Sequence, residues 1–324
     1  FYIRWNNWKS WKNSEINWPG KHFFFARIKN LLNGFINIDK PSGLSSYSVI
    51  RELKPYISNS KLGFVGTLDP IASGVLPVSV GFANRLSDEI NSNKKEYLAK
   101  GKFGEETDTY DSQGTVTGNA KFDHINEEDF RSALSSFLGE KEQKAPIYSA
   151  LRINGKRMYD LARKGIEIKP KIRKVELFSV ELIDFSAPFF QIKIICGKGF
   201  YVRSLINDIG KKLNSLSHMV DLRRTLSGAF SIDSSIKIGN AKKKLEENLF
   251  KDLIIPPQEV LFGFKMVNIN DLELKKILVG NPIKVNVEYK EKDKLAFLDR
   301  SDNLIAIGII EDGMGAPKKV IRNV

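Results

Sequence analysis

Cysteine is nearly missing from this 324-residue chain. Cys196 stands alone, which excludes an intramolecular disulfide framework and fits a reducing compartment, so a cytoplasmic protein is expected. Histidine is almost as scarce. His22, His124 and His218 lie far apart with no ligand-type neighbour at metal-binding spacing, which argues against a structural zinc or a histidine-based catalytic cluster. No run of about 18 apolar residues occurs, so no helical membrane span is expected. Acidic residues are also in deficit: 38 Asp and Glu face 51 Lys and Arg, a net charge of +13. Such an excess favours polyanions, because neutralising phosphates releases condensed counterions. A compositional bias toward Lys, Asn and Ile supplies part of the same excess, so charge alone supports nucleic-acid binding only moderately.

What is present is the stock of a globular protein, 42% apolar and 27% charged, long enough for a large core and two domains, one of them small. Tryptophan is confined to the start, at Trp5, Trp8, Trp11 and Trp18. There Arg4, Lys9, Lys12, Lys21, Arg27 and Lys29 face one acid, Glu15. A transit peptide is usually richer in serine and less aromatic, and an RNA-binding arm is the other functional option. The plain expectation for residues 1–33 is an extension read from an upstream start, poorly ordered before Asn33.

Beyond it, Gly34 to Lys40 alternates apolar and polar residues as a strand does, closed by Pro41-Ser42-Gly43. Ser45 or Ser46 can cap a following helix that carries Val49, Ile50 and Leu53 on one face and stops at Pro55. Val75–Val80, Lys95–Phe103 and Phe189–Cys196 read as strands, and Ile125–Leu138 and Tyr201–Leu213 as helices. Asn126 is the natural cap of the first helix and Gly139 its end. Ala241–Leu249 is charged and helical, and Pro256-Pro257 closes a connector. The short elements Asp271–Val279, Ile283–Val287, Lys294–Leu298 and Leu304–Ile310 suggest a small, mostly β domain. The mixture is α+β rather than a doubly wound parallel sheet.

One loop stands out chemically: Gly63-Phe64-Val65-Gly66-Thr67-Leu68-Asp69-Pro70-Ile71-Ala72-Ser73-Gly74-Val75. The residue before a proline is biased toward extended backbone, and Gly66 and Gly74 allow close approach of backbone to a ligand. Asp69 is thus a carboxylate on a stiff turn, a candidate nucleophile or acid/base group. By itself an Asp-Pro turn is more often structural.

Three further blocks change that balance. They are Asp39-Lys40-Pro41-Ser42-Gly43-Leu44-Ser45-Ser46, then Lys95-Glu96-Tyr97-Leu98 with Gly104-Glu105-Glu106-Thr107-Asp108-Thr109-Tyr110-Asp111, and finally Gly197-Lys198-Gly199-Phe200-Tyr201-Val202-Arg203 with Leu222-Arg223-Arg224-Thr225. In this order and spacing the chain resembles the bacterial TruB family of tRNA pseudouridine synthases, over roughly Gly34 to Ile232. A shorter match, Ile277–Lys284 with Leu304–Gly308 and Pro317–Val320, is similar to a PUA RNA-binding domain.

The resemblance implies a pseudouridine synthase fold with a mixed, largely antiparallel central sheet over residues 34–240, a connector at 241–257 and a PUA-like domain at 258–324. It implies Asp69 as catalytic aspartate, Arg203 as its cationic partner and Tyr97 as the aromatic that stacks on the target base, with a phenol able to join a proton transfer. Tyr201 and Leu222 correspond to positions lining the uracil pocket, while Lys40 and Asp111 sit in motif blocks, where they organise the cleft or hold turns. Without the family match, Arg203 would read as a surface helix charge and Tyr97, Tyr201 and Leu222 as ordinary packing residues. Phe64 replaces a family histidine that contacts RNA, which touches affinity more than chemistry.

The basic stretch 141–174, with Tyr148 and Tyr159 interleaved, resembles the family's thumb loop and is expected to order on RNA binding. The implied activity is isomerisation of uridine-55 in the T loop of tRNA, by a monomer without metal or other cofactor. A guide-dependent synthase and a non-catalytic RNA-folding protein on the same scaffold are the alternatives.

Overall fold

The computed structural model describes residues 33–321, apart from 58–59, 92–93, 150, 154, 163–164, 167–168 and 287. The expectation for the segment before Asn33 lies outside the described residues.

Strand β1 (Gly34–Lys40) buries Ile36 and Ile38 on one face and Phe35 on the other, because successive side chains alternate. Ser45 accepts a hydrogen bond from the Ser48 N–H and starts α1 (Ser46–Leu53), whose buried face is Val49, Ile50 and Leu53. Strands β2 (Leu62–Phe64) and β3 (Ser73–Val80) flank the Asp69 loop, followed by α2 (Ser87–Asn91) and β4 (Lys95–Phe103). A hairpin of β5 (Glu105–Thr107) and β6 (Val116–Asn119) leads to α3 (Glu127–Ser135) and β7 (Gly139–Lys144). Between β7 and β10 (Ile172–Ser186) lie the short pair β8 (Arg152–Ile153) and β9 (Lys156–Arg157), then α4 (Met158–Ala162). Next come β11 (Phe189–Cys196), α5 (Val202–Lys212), β12 (Ser217–Ser227), β13 (Phe230–Ser231), β14 (Ile236–Lys237) and α6 (Ile238–Glu246).

Among the described residues, ten strands form the main sheet in the order β14-β1-β3-β12-β4-β11-β10-β7, with β2 beside β3 and β13 beside β12. The pairs β1–β14 and β3–β12 are parallel and the rest antiparallel, so the sheet is mixed and largely antiparallel, as expected. One face carries the larger core, in which Phe103, Phe130, Phe185 and Phe190 stack with ring centroids 4.5 to 5.5 Å apart.

The C-terminal part is a four-stranded sheet, β15 (Phe264–Asn268), β16 (Lys294–Leu298), β17 (Leu304–Glu311) and β18 (Met314–Val320), crossed by α7 (Asp271–Leu278). Asn270 and Glu273 close a capping box on that helix. Phe35 and Val75 from the main sheet share one core with Leu261, Ala296, Leu298 and Ile307, which joins the two sheets.

Several expectations need correction. Residues 241–257 are more than a connector: Ala241, Leu245, Phe250 and Leu253 are buried in the larger core, and Ile255 bridges to Phe35. The helix expected to reach Leu138 ends at Ser135, and Gly139, at φ +84, opens β7. The two ends of the 141–174 stretch belong to β7 and β10, where Lys144 pairs with Ile172 and Glu142 with Lys174, and its ordering on RNA binding stays a proposal. Strands β10 and β12 are hard to read from sequence because charged residues crowd them.

Candidate active site

The Asp69 loop lies against the turn that follows β1. Lys40, fully buried, donates from Nζ to the carbonyls of Pro41 (2.9 Å), Leu44 (2.6 Å) and Pro70 (3.4 Å). Burial lowers its pKa to about 8, with Asp69 pulling the other way. Gly43 N–H donates to Pro70 O at 2.8 Å, and Ser42 Oγ to Ile71 O at 2.8 Å. The backbone carbonyls around the loop thereby have fixed partners.

From the other side comes Arg224, fully buried on β12. Its Nε donates to Val75 O (2.7 Å) and its Nη2 to Gly66 O (2.9 Å), pinning both ends of the loop. A side chain on Gly74 is impossible here: its Cβ would stand 2.2 Å from the Arg224 carbonyl, and the glycine sits at φ +97. Gly74 therefore serves the approach of β3 to β12 rather than the approach of a ligand.

Arg203 occupies the first turn of α5, beside Asp69. It is 4% exposed, and each of its nitrogens has a neighbour. Nε stands 2.9 Å from Asp69 Oδ2 with its N–H off the line, so the contact is chiefly an ion pair. Nη1 donates to Thr109 O (2.8 Å) and lies 3.2 Å from Asp111 Oδ2, and Nη2 donates to Tyr148 O (2.9 Å). Asp111 is in turn fixed through Oδ1 by Thr109 Oγ1 (2.7 Å) and the Gln113 N–H (3.0 Å).

The Asp69 side chain is 35% open to solvent while Arg203 beside it is 4% exposed, so the carboxylate end of the ion pair is the accessible one. Burial raises its pKa, Arg203 opposes that rise and Asp111 adds to it. Tyr97, from β4, is buried against the same core, and burial raises its phenol pKa. The phenol is therefore neutral at ordinary pH, which suits stacking better than accepting a proton. In register, Tyr97 faces Arg224 and Leu222 faces Ala99.

Tyr201 precedes α5, and the Gln143 amide holds its backbone at both ends, accepting from its N–H (2.8 Å) and donating to its carbonyl (3.0 Å). Burial also raises the Tyr201 pKa, which feels both Asp69 and Arg203. The structure thus gathers Asp69, Arg203, Tyr97, Tyr201, Lys40 and Asp111, with buried Leu222 on the strand beside them. Phe64 lies five residues before Asp69, on the strand that enters the loop. It sits half-buried on β2, paired with Val78 and packed against the larger core.

Sequence reasoning misses Arg224 and Gln143. Strand alternation sends one of two adjacent arginines inward, since Arg223 instead reaches Asp39 at 3.0 Å on the other face. Nothing in the charged run around Gln143 marks it. Among the described residues no His, Cys, Asp and Glu group is placed to hold a metal ion.

Comparison with known proteins adds to this geometry. Residues 54–202 match the family model for the TruB family pseudouridylate synthase N-terminal domain, and residues 203–261 the model for the tRNA pseudouridylate synthase B C-terminal domain. The chain is 40% identical over 285 residues to tRNA pseudouridine synthase B of Clostridium kluyveri, covering 87% of this chain and 96% of that one. Its counterpart in Dehalococcoides mccartyi is 33% identical over 289 residues, covering 89% and 96%. Among solved structures, a chain of a Cbf5-Nop10-Gar1 complex aligns with a TM-score of 0.68 at 24% identity, over 91% of this chain and 87% of that one, a likeness of fold.

Proposed function

The chain belongs to the TruB family of pseudouridylate synthases, and from that membership we propose that it converts uridine-55 in the T loop of tRNA to pseudouridine. The ion pair between buried Arg203 and solvent-accessible Asp69 carries the reading. In it Asp69 is the nucleophile. A carboxylate needs no general base to activate it, only a position and a counter-charge that keeps it ionised once RNA covers the cleft. Arg203 supplies that charge, and Asp111, Thr109 and Tyr148 hold Arg203 in place.

The uridine leaves its stack and lies against Tyr97, with Tyr201 and Leu222 as pocket walls. Asp69 forms a transient bond to the nucleotide and is later released; in between, the N1–C1′ bond breaks, the uracil turns and C5 bonds to C1′. The C5 proton leaves to solvent and the freed N1 takes one up, so substrate and product are isomers and no co-substrate is consumed. The basic segment between β7 and β10 grips the T arm through phosphates, and residues 258–324 add a PUA-like RNA contact. The enzyme acts as a cytoplasmic monomer.

Tritium release from T-arm RNA carrying 5-tritiated uridine tests this reading. Wild type should release tritium without guide RNA or added protein. Asp69→Asn should bind the RNA as tightly and release none, and full activity in that variant would sink Asp69 as nucleophile.

A further inference from the structure

Two adjacent serines begin α1, and they do different things. Ser45 caps the helix through Oγ, with the Ser48 N–H 3.0 Å away. Ser46, 2% exposed, turns into the protein. Its Oγ donates to Leu68 O at 3.0 Å and accepts from the Leu68 N–H at 2.9 Å. One hydroxyl therefore satisfies both backbone polar groups of the residue bonded to Asp69.

The consequence is geometric. The Leu68 N–H belongs to the peptide plane entering Leu68, and the Leu68 carbonyl to the plane entering Asp69. Holding both fixes the backbone torsions of Leu68 and the direction of the Asp69 N–Cα bond. Leu68 is itself 4% exposed in the larger core, so no water stands ready to replace the hydroxyl. Downstream, the Ala72 N–H donates to Asp69 O at 3.1 Å, and Lys40, Ser42 and Gly43 hold Pro70 and Ile71. Ser46 is the side-chain hold on the upstream side nearest Asp69.

We propose that Ser46 is a positioning residue for the reaction: it aims the Asp69 carboxylate at Arg203 and at the bound uridine. It touches no reacting atom. The inference rests on Asp69 being the nucleophile of the synthase reaction. A hydroxyl is suited to this task because it donates one hydrogen bond and accepts others at the same point. Alanine removes both bonds, leaves two buried backbone groups unpaired and frees the loop to shift.

The test compares kcat, KM, RNA Kd and thermal midpoint for wild type, Ser46→Ala, Ser46→Thr and Leu53→Ala. Ser46→Ala should lower kcat by about 10- to 100-fold, the cost of a misplacement near 1 Å, with RNA Kd unchanged. Ser46→Thr keeps the hydroxyl and should recover most of the rate. Leu53→Ala, a cavity on the same helix away from the loop, should lower the midpoint yet leave kcat unchanged. Should Ser46→Ala not fold, Ser46→Cys fills the space with a weaker donor and should show the same loss of kcat. Wild-type kcat in the alanine or cysteine variant overturns the inference, as does an equal loss of kcat in Leu53→Ala. A wild-type protein that releases no tritium overturns the functional reading itself.

Discussion

Arg203 Nε meets Asp69 Oδ2 at 2.9 Å while Nη1 of the same guanidinium meets Asp111 Oδ2 at 3.2 Å. One cation thus serves two carboxylates of unequal exposure, Asp111 at 6% and Asp69 at 35%. The buried partner anchors the arginine, and the accessible one remains free to meet substrate. A guanidinium can do this because its donors fan out in a rigid plane, whereas an ammonium concentrates its charge at one point.

This arrangement predicts a pH dependence. If Asp69 is the nucleophile proposed above, it must be ionised; burial raises its pKa, so the single-turnover rate should fall on acidification at a pH above the ordinary carboxylate range. Arg203→Gln removes a lowering influence and should move that acid limb to higher pH, besides slowing turnover. An unmoved limb would disconnect the two residues. Stability runs the other way. Because the folded-state pKa is raised, this group's contribution is complete below the unfolded pKa and is lost as pH rises through the folded one.

Arg224→Leu should lower unfolding free energy by roughly 2–5 kcal/mol, since Val75 O and Gly66 O would each lose a buried donor. Chemical denaturation measures it. A stability equal to wild type would mean that water takes over both carbonyls.

For Tyr97→Phe, RNA binding and most of the turnover should survive, because stacking uses the ring and the phenol is neutral. Tyr97→Leu should lose turnover, since an aliphatic side chain has no π-face. A phenylalanine variant as inactive as the leucine one would instead give the hydroxyl a chemical role, and rapid-quench kinetics on T-arm RNA separates the cases.

Phe64→His should restore a polar contact to RNA and lower KM by about threefold, at a stability cost of about 1 kcal/mol for a polar ring on a half-buried strand. A KM that rises would show that Phe64 contributes to binding as it stands. Gel-shift titration and steady-state kinetics give both quantities.

Much of the fold and of the site is legible in the chain of residues alone. Strands at Gly34–Lys40, Lys95–Phe103 and Phe189–Cys196 are legible, and so are the α3 cap at Asn126 and an α1 cap at Ser45 or Ser46, of which the structure uses Ser45. The Asp69 loop, Tyr97 and Arg203 stand out by their motifs. Less legible are β10 and β12, whose exposed charges mask their apolar period, and residues 241–257, whose burial depends on a core they help to close.

Sequence by itself determined the candidates, because the order and spacing of the motif blocks carry the family resemblance that singles out a carboxylate before proline, an arginine at a helix start and an aromatic on a strand. Tertiary structure alone decided how these groups are held. Residues far apart in sequence, Ser46 with Leu68, Arg224 with Gly66 and Arg203 with Asp111, meet only when the sheet assembles. Buried backbone groups must find partners there, and no local pattern says which side chain will supply them.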